Sequence, residues 1–271
     1  MIPLPTKITP GEFVARGLTS EIYAIGSDRV VKLYLPWMRR QKIENEFFVT
    51  GALHEAGLPV PKPFELIESD GRLGIVLERI HGISMLRHTT RRPWRLIQAA
   101  RELAELHAKL HAQQAPQNLP TQREQIEKWI ASGTDLNADE RAAATRALEK
   151  IPDGNAVCHG DFHPENVLIT LRGPVIIDWT TGTRGDPIGD VARTVSLLRR
   201  AEIPPDWPIY IKMLVMFSRH LLVKFYIRRY FQIRPGRPEE LAAWEPIQRA
   251  AISAWRARME IRSDIGSAAD F

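Results

Sequence analysis

Apolar positions along the chain recur with two periods. In the first eighty residues, short stretches rich in β-branched and aliphatic side chains alternate with turn formers. Residues 21–25 and 29–35 flank Gly26-Ser27-Asp28, and residues 64–69 and 73–78 flank Asp70-Gly71, so each pair predicts a hairpin. Between the pairs, a helix is expected from about 39 to 56, with Ile43, Phe47 and Leu53 on its apolar side and Gly57 placed to stop it. The period then lengthens. Leu96, Ala99, Ala100, Leu103, Leu106 and Leu110 line one face of a helix predicted over 93–111, opened by Pro93 where proline is tolerated. A polar, proline-containing connection leads to two shorter helices, 123–132 and 138–149, the second capped by Asn137. Strand-like runs return at 167–170 and 175–177 around Arg172-Gly173, and from Val191 onward the chain reads as helical and aromatic-rich. The pattern predicts an α+β protein in two parts, a small β-rich region with one helix over 1–80 and a larger, mostly helical region over 81–271.

Composition narrows the class. A chain of 271 residues with 44% hydrophobic content can bury a large core. Cys158 is the single cysteine, which excludes an intramolecular disulfide and suits a reducing compartment; its place at a strand end suggests packing rather than nucleophilic chemistry. Met1-Ile2-Pro3-Leu4-Pro5 lacks a charged segment followed by an apolar core, and no stretch approaches membrane-spanning length, so a cytoplasmic protein without a membrane partner is expected. The net charge of +5 and the pI near 9.5 raise the question of nucleic acid. The basic residues are scattered and no reader motif accompanies them, so a nucleic-acid partner is not expected.

The densest chemistry lies in His159-Gly160-Asp161-Phe162-His163-Pro164-Glu165-Asn166, followed by Val175-Ile176-Ile177-Asp178-Trp179. Phosphoryl transfer needs little covalent help from a protein; it needs a positioned nucleophile, a metal on the phosphate oxygens and charge neutralisation. Asp161 can orient an acceptor hydroxyl and take its proton. Asn166, beyond a turn that Pro164 helps to make, offers a hard amide oxygen suited to magnesium, and Asp178, delivered by a buried strand, offers the charged ligand. Reading His159, Asp161 and His163 as the ligands of a metal hydrolase leaves Asn166 unexplained and lacks a further ligand cluster. His107 and His111 stand one helical turn apart and, without nearby ligands, read as polar residues packing beside a core rather than as a metal pair.

The segments HGDFHPENVLI, VIIDW and GDPIGDVAR together resemble the aminoglycoside phosphotransferase and choline kinase family, which shares its two-lobe fold with protein kinases. The resemblance extends more weakly over nearly the whole chain. It implies that Asp161 is the catalytic base, that Asn166 and Asp178 hold magnesium, and that His159 and Asp190 brace the catalytic loop. Lys32 lies in the second strand, and period two points its ammonium opposite to Val31 and Leu33. In a kinase-like lobe such a lysine reaches the phosphates and is held by a glutamate of the next helix, here Glu46 in preference to Glu44. Gly17 and Ser20, with Thr19, occupy the place of a phosphate-covering loop, although one glycine matches a glycine-rich pattern poorly. Residues 78–82 occupy the hinge, where Glu78 and Ile80 would meet the base of ATP or GTP through backbone groups.

Charge bears on the acceptor. Between 199 and 237 the basic residues are Arg199, Arg200, Lys212, Arg219, Lys224, Arg228, Arg229, Arg234 and Arg237, against Glu202 and Asp206. In the family such helices wall the acceptor site, so a neutral or anionic hydroxyl compound is expected rather than a polycation. The expected function is magnesium-dependent transfer of the terminal phosphoryl of ATP or GTP to a small-molecule hydroxyl. The alternatives are a kinase-fold protein acting on a protein or tRNA, which the short segment between Asp178 and Asp186 disfavours, and a nucleotide-binding module without transfer activity, which the complete set Lys32, Asp161, Asn166 and Asp178 disfavours.

Overall fold

The computed structural model describes residues 6–7, 11–133, 136–200, 203–236 and 238–267; residues 1–5, Glu202 and Arg237 lie outside the described residues. In chain order the first elements are β1 (Thr6–Lys7), β2 (Phe13–Arg16), β3 (Ser20–Ile25), β4 (Arg29–Tyr34), α1 (Arg40–Glu55), β5 (Pro63–Ser69), β6 (Arg72–Glu78), β7 (Ile83–Ser84), α2 (Met85–Thr90) and α3 (Leu96–His111). They are followed by α4 (Gln122–Ser132), α5 (Ala138–Glu149), β8 (Ala156–Cys158), β9 (Val167–Thr170), β10 (Gly173–Ile176), β11 (Thr183–Gly185), α6 (Pro187–Arg200), α7 (Ile209–Ile233) and α8 (Pro238–Ser267). The architecture is α+β, a β-sheet region followed by a helical one. Two compact units divide the chain: Met1–Ser84 with Asn166–Thr181, and Met85–Glu165 with Gly182–Phe271. This differs from a single cut at residue 80. β7 pairs with β9, and β9 with β10, which ties the segment containing Asn166 and Asp178 to the first unit.

In the first unit six strands are ordered β1-β5-β6-β4-β3-β2, antiparallel except for the β1–β5 pair. Alternation along β4 decides what each face receives. Val31 and Leu33 pack with Ile67 and Val76 on one side, while Tyr34 packs with Ile43 of α1, Leu66 and Ile75 on the other. Lys32 therefore shares the helix-facing side with Tyr34. α1 ends where Gly57 enters the left-handed region at φ 78°, with its N–H donating to His54 O and that of Leu58 to Leu53 O. The turn between β9 and β10 is Leu171-Arg172 rather than Arg172-Gly173, and Gly173, at φ 115°, opens the strand.

In the second unit α3 runs along α7 and a separate core joins α4, α5, α6 and α8. Ile126, Trp129, Ile130, Leu148, Trp244 and Ile247 are each buried there, worth roughly 1.5–3 kcal/mol per large side chain before entropy is charged. Asn137 closes a reciprocal capping box with Glu140 at the start of α5, as its position predicts. Pro93 opens a 3₁₀ turn over Pro93–Arg95, and α3 proper begins at Leu96. The short elements β1, β2, β7, β11 and α2 carry too few residues to announce a period, and the sequence reading misses them, whereas β8 ends at Cys158, the residue placed at a strand end. Among the described residues no helix is long and apolar enough to cross a membrane.

Candidate active site

The first unit gathers a compact ionic cluster around Lys32. Its side chain is buried, and Nζ donates to Glu46 Oε1 at 2.6 Å and to Asp178 Oδ1 at 3.0 Å. Burial pushes the ammonium pKa down, but the Asp178 and Glu46 carboxylates outweigh it and hold the group above the ordinary lysine range, so it stays charged. Glu46, on the buried side of α1, accepts at Oε2 from the hydroxyls of Tyr34 and Thr180, each at 2.6 Å. Glu44 lies elsewhere on the helix, pairing with Arg40 at 3.5 Å. Tyr34 and Thr180 are partners the sequence reading misses. The first was signalled by its period-two relation to Lys32, the second only by standing two residues beyond Asp178.

Asp178 follows β10 and sits at φ 64°, a conformation uncommon for a residue with a Cβ, though aspartate tolerates it better than most. Such a residue costs on the order of 1–3 kcal/mol and persists where surrounding contacts dictate it. Here Ile177 N–H bonds Asn166 O at 3.0 Å, which extends the β9–β10 pairing and joins the two predicted metal-binding positions through the backbone. An amide oxygen and a partly exposed carboxylate are a hard donor set that fits magnesium. The Thr180 hydroxyl lies 2.6 Å from both Glu46 Oε2 and Asp178 Oδ1, yet carries one proton for the two acceptors.

Gly17 closes a tight turn through its N–H to Ser20 O at 2.9 Å and is exposed, whereas Ser20 is buried at the head of β3. Glu78 ends β6. Its N–H is already given to Lys62 O and the next, at Arg79, to Asp28 O, each at 2.8 Å, so the amides open to a base begin no earlier than Ile80, which is half-buried.

The second unit holds the loop after β8. Asp190, fully buried on the first turn of α6, accepts His159 N–H at Oδ2 (2.6 Å) and Gly160 N–H at Oδ1 (2.8 Å). Gly160 can take this shape because it sits at φ 75°. One turn further along α6, Arg193 donates from Nε to Gly160 O at 3.1 Å and lies 4.6 Å over the Trp129 ring. Burial lowers its guanidinium to about 10 against the opposing charges of Asp161 and Asp190, so it remains a cation at neutral pH. His159, also fully buried, accepts Asp161 N–H at Nδ1, 3.2 Å away. The peptide before Asp161 is thus clamped from both sides, and the Asp161 carboxylate is left about a third exposed with His163 Nε2 at 3.6 Å. Arg193 is absent from the sequence reading although it ends the third motif, one helical turn after Asp190. Cys158 is buried and its thiol is pushed well above the ordinary range by burial, as a packed, unreactive residue should be.

A sequence model of the phosphotransferase enzyme family matches residues 11–212. Acyl-CoA dehydrogenase family member 11 of Gallus gallus is 28% identical over 173 residues, a match covering 56% of this chain but 22% of that protein, so the likeness concerns one part of a much longer polypeptide. Among solved structures, an aminoglycoside-3'-phosphotransferase of type VIII superposes with a TM-score of 0.62 at 23% identity, covering 90% of this chain and 94% of that one. A choline/ethanolamine kinase family protein from Mesorhizobium loti gives 0.61 at 19% identity, covering 93% and 81%. An aminoglycoside phosphotransferase from Streptomyces rimosus in complex with ADP and streptomycin gives 0.56 at 17% identity, covering 85% and 90%. The fold is that of these kinase-like enzymes, and the chain belongs to the phosphotransferase enzyme family.

Proposed function

We propose that the protein transfers the terminal phosphoryl group of ATP or GTP to a hydroxyl of a small molecule, with magnesium as the metal. The observation that carries this reading is the buried Lys32 ammonium held between Glu46 and Asp178, with Asp178 fixed in a left-handed backbone conformation. Family membership and a fold shared with an enzyme that holds ADP support it.

Each side chain has a definite task. Lys32, kept charged by Glu46, offers its ammonium to nucleotide phosphate oxygens. Asn166 and Asp178 would hold magnesium, which when bound withdraws charge from the phosphate oxygens. Asp161 orients the acceptor hydroxyl and takes its proton as the new O–P bond forms and the bond to the leaving phosphate oxygen breaks. His159 and Asp190 fix the loop that presents it. Gly17 and Ser20 belong to the turn over the phosphates, and the chain from Glu78 to Ile80 borders the base.

The acceptor is proposed to be neutral or anionic. Of the basic residues between 199 and 237, Arg229 is paired with Glu105 at 2.7 Å and Lys212 is turned to a backbone carbonyl, while Lys224 and Arg228 are exposed. The deciding experiment is a nucleotide-hydrolysis-coupled screen of sugars, amino alcohols, hydroxy acids and antibiotics, with product mass measured. Gain of one phosphoryl group by an acceptor supports the reading. Nucleotide binding without transfer to any acceptor, in protein that binds magnesium, would leave a binding module instead.

A further inference from the structure

We infer that His107, His111, Tyr226 and Tyr230 form a buried brace of positioning residues that holds the Asp190 carboxylate and, through it, the backbone that carries Asp161. The inference deepens the proposed phosphotransfer reading and rests on it for its kinetic consequences. α3 supplies the two histidines and α7 the two tyrosines, each pair one helical turn apart, so the facing helices match rung for rung. His107 Nδ1 lies 2.6 Å from the Tyr226 hydroxyl, and His111 Nδ1 lies 2.7 Å from that of Tyr230. The opposite ring nitrogens converge on one atom: His107 Nε2 and His111 Nε2 lie 3.1 and 3.3 Å from Asp190 Oδ2. All five side chains are buried.

Proton accounting decides how the group works. The ionised carboxylate receives N–H donors at both oxygens: Gly160 N–H at Oδ1, and His159 N–H with the two Nε2–H groups sharing Oδ2. Each imidazole then has a free acceptor at Nδ1, which its tyrosine hydroxyl fills. Every proton is placed with both histidines neutral, Asp190 charged and Arg193 as the nearby cation. Burial and the neighbouring His111 lower the His107 pKa to about 3, in keeping with a neutral ring. His107 also stacks on Phe162 of the catalytic segment, with centroids 4.0 Å apart, so the brace touches the loop by packing as well as through Asp190.

The same three groups, His107, His111 and Asp190, could in principle close on a metal ion, since their ligand atoms lie within 4.8 Å of one another. An ion there would need both Nε2 atoms as lone-pair donors and would compete for Oδ2 with His159 N–H at 2.6 Å. The hydrogen-bonded assignment satisfies every one of these atoms without it. The two readings differ in ring tautomer and in metal content.

The test uses the full-length protein with Tyr226→Phe, Tyr230→Phe, their double variant, and His107→Ala beside His107→Gln, whose amide keeps a donor toward Asp190. The expected result is a kcat about tenfold or more lower in the double phenylalanine variant, with nucleotide KM changed by less than about threefold. His107→Gln should regain much of what His107→Ala loses. Hydrogen exchange over residues 159–161 should accelerate by about tenfold or more in the same variants, and this readout needs no turnover. If the wild-type protein transfers phosphate to nothing, the proposed function fails while the exchange measurement still decides the brace. Unchanged exchange in the folded double variant would overturn the inference. So would an activity loss carried by KM alone, or one equivalent of transition metal that purified wild-type protein retains and His107→Gln releases.

Discussion

Lys32 Nζ and Asp178 Oδ1 stand 3.0 Å apart although 146 positions separate the residues in the chain. The contact exists because β4 turns Lys32 toward α1, and because the β9–β10 hairpin, folded into the same unit, is followed two residues on by Asp178. In the proposed reading Lys32 would anchor a phosphate and Asp178 would hold the metal; their contact, together with that to Glu46, keeps the buried ammonium paired.

Asp178→Asn tests the carboxylate. Asparagine tolerates the left-handed backbone at this position and keeps the side chain's shape, so the fold should survive. If Asp178 is the proposed charged ligand of the ion, magnesium-dependent nucleotide affinity should fall by about tenfold or more. Calorimetric titration of nucleotide with and without magnesium measures it, and an affinity equal to wild type in both conditions would remove Asp178 from the metal site.

On the proposed mechanism Asp161→Asn would remove the proton acceptor and little else. The residue is held through its backbone by His159, which the substitution leaves in place. Turnover should drop by roughly two or more orders of magnitude with nucleotide affinity nearly unchanged. Near-normal turnover would mean that the base lies elsewhere.

Acid should weaken the second unit in a way that can be traced to His107. Burial and His111 depress its pKa from the usual 6.5 to about 3, so between those values the unfolded chain binds a proton that the folded chain refuses. Stability therefore rises with pH across this window and is lost as pH falls from about 6.5 toward 3, with a slope of up to ~1.4 kcal/mol per pH unit from this group. Asp190 acts in the same direction at lower pH. Its folded pKa is held well below the ordinary value, despite burial, by His107 and His111, and its contribution disappears as pH drops through that depressed value. Urea unfolding at a series of pH values should give a steeper acid limb for wild type than for His107→Gln; parallel curves would contradict the assignment.

Acceptor charge is the fourth expectation. If the basic helical segment after Arg199 borders the acceptor, kanamycin-type polycations should be poor substrates, with kcat/KM below about 10⁴ M⁻¹s⁻¹, and neutral or acidic hydroxyl compounds better ones. Steady-state assays over both classes at two ionic strengths would settle it. Efficient aminoglycoside phosphorylation would refute the charge argument.

What the chain says by itself is mostly local. Alternation in residues 29–34 put Lys32 on the face opposite Val31 and Leu33, and apolar spacing marked α1, α3 and the Asn137-capped α5 nearly to their ends, because side-chain period follows from backbone geometry alone. The three motifs pointed to the loop, the strand-end carboxylate and Asp190, because the residue types the proposed chemistry would need lie within a few neighbouring positions. Their partners were another matter. That Thr180 bridges Glu46 and Asp178, that Arg193 returns to Gly160 O, and that two tyrosines of α7 cap two histidines of α3 depends on which helix faces which and at what register. The metal-or-core question about His107 and His111 could not be closed from their spacing, because the third group, Asp190, lies 83 and 79 positions away. Nor could periodicity assign the segment holding Asn166 and Asp178 to the amino-terminal unit: strand pairing joins distant stretches through backbone groups that every residue carries, and so leaves little trace in side-chain order.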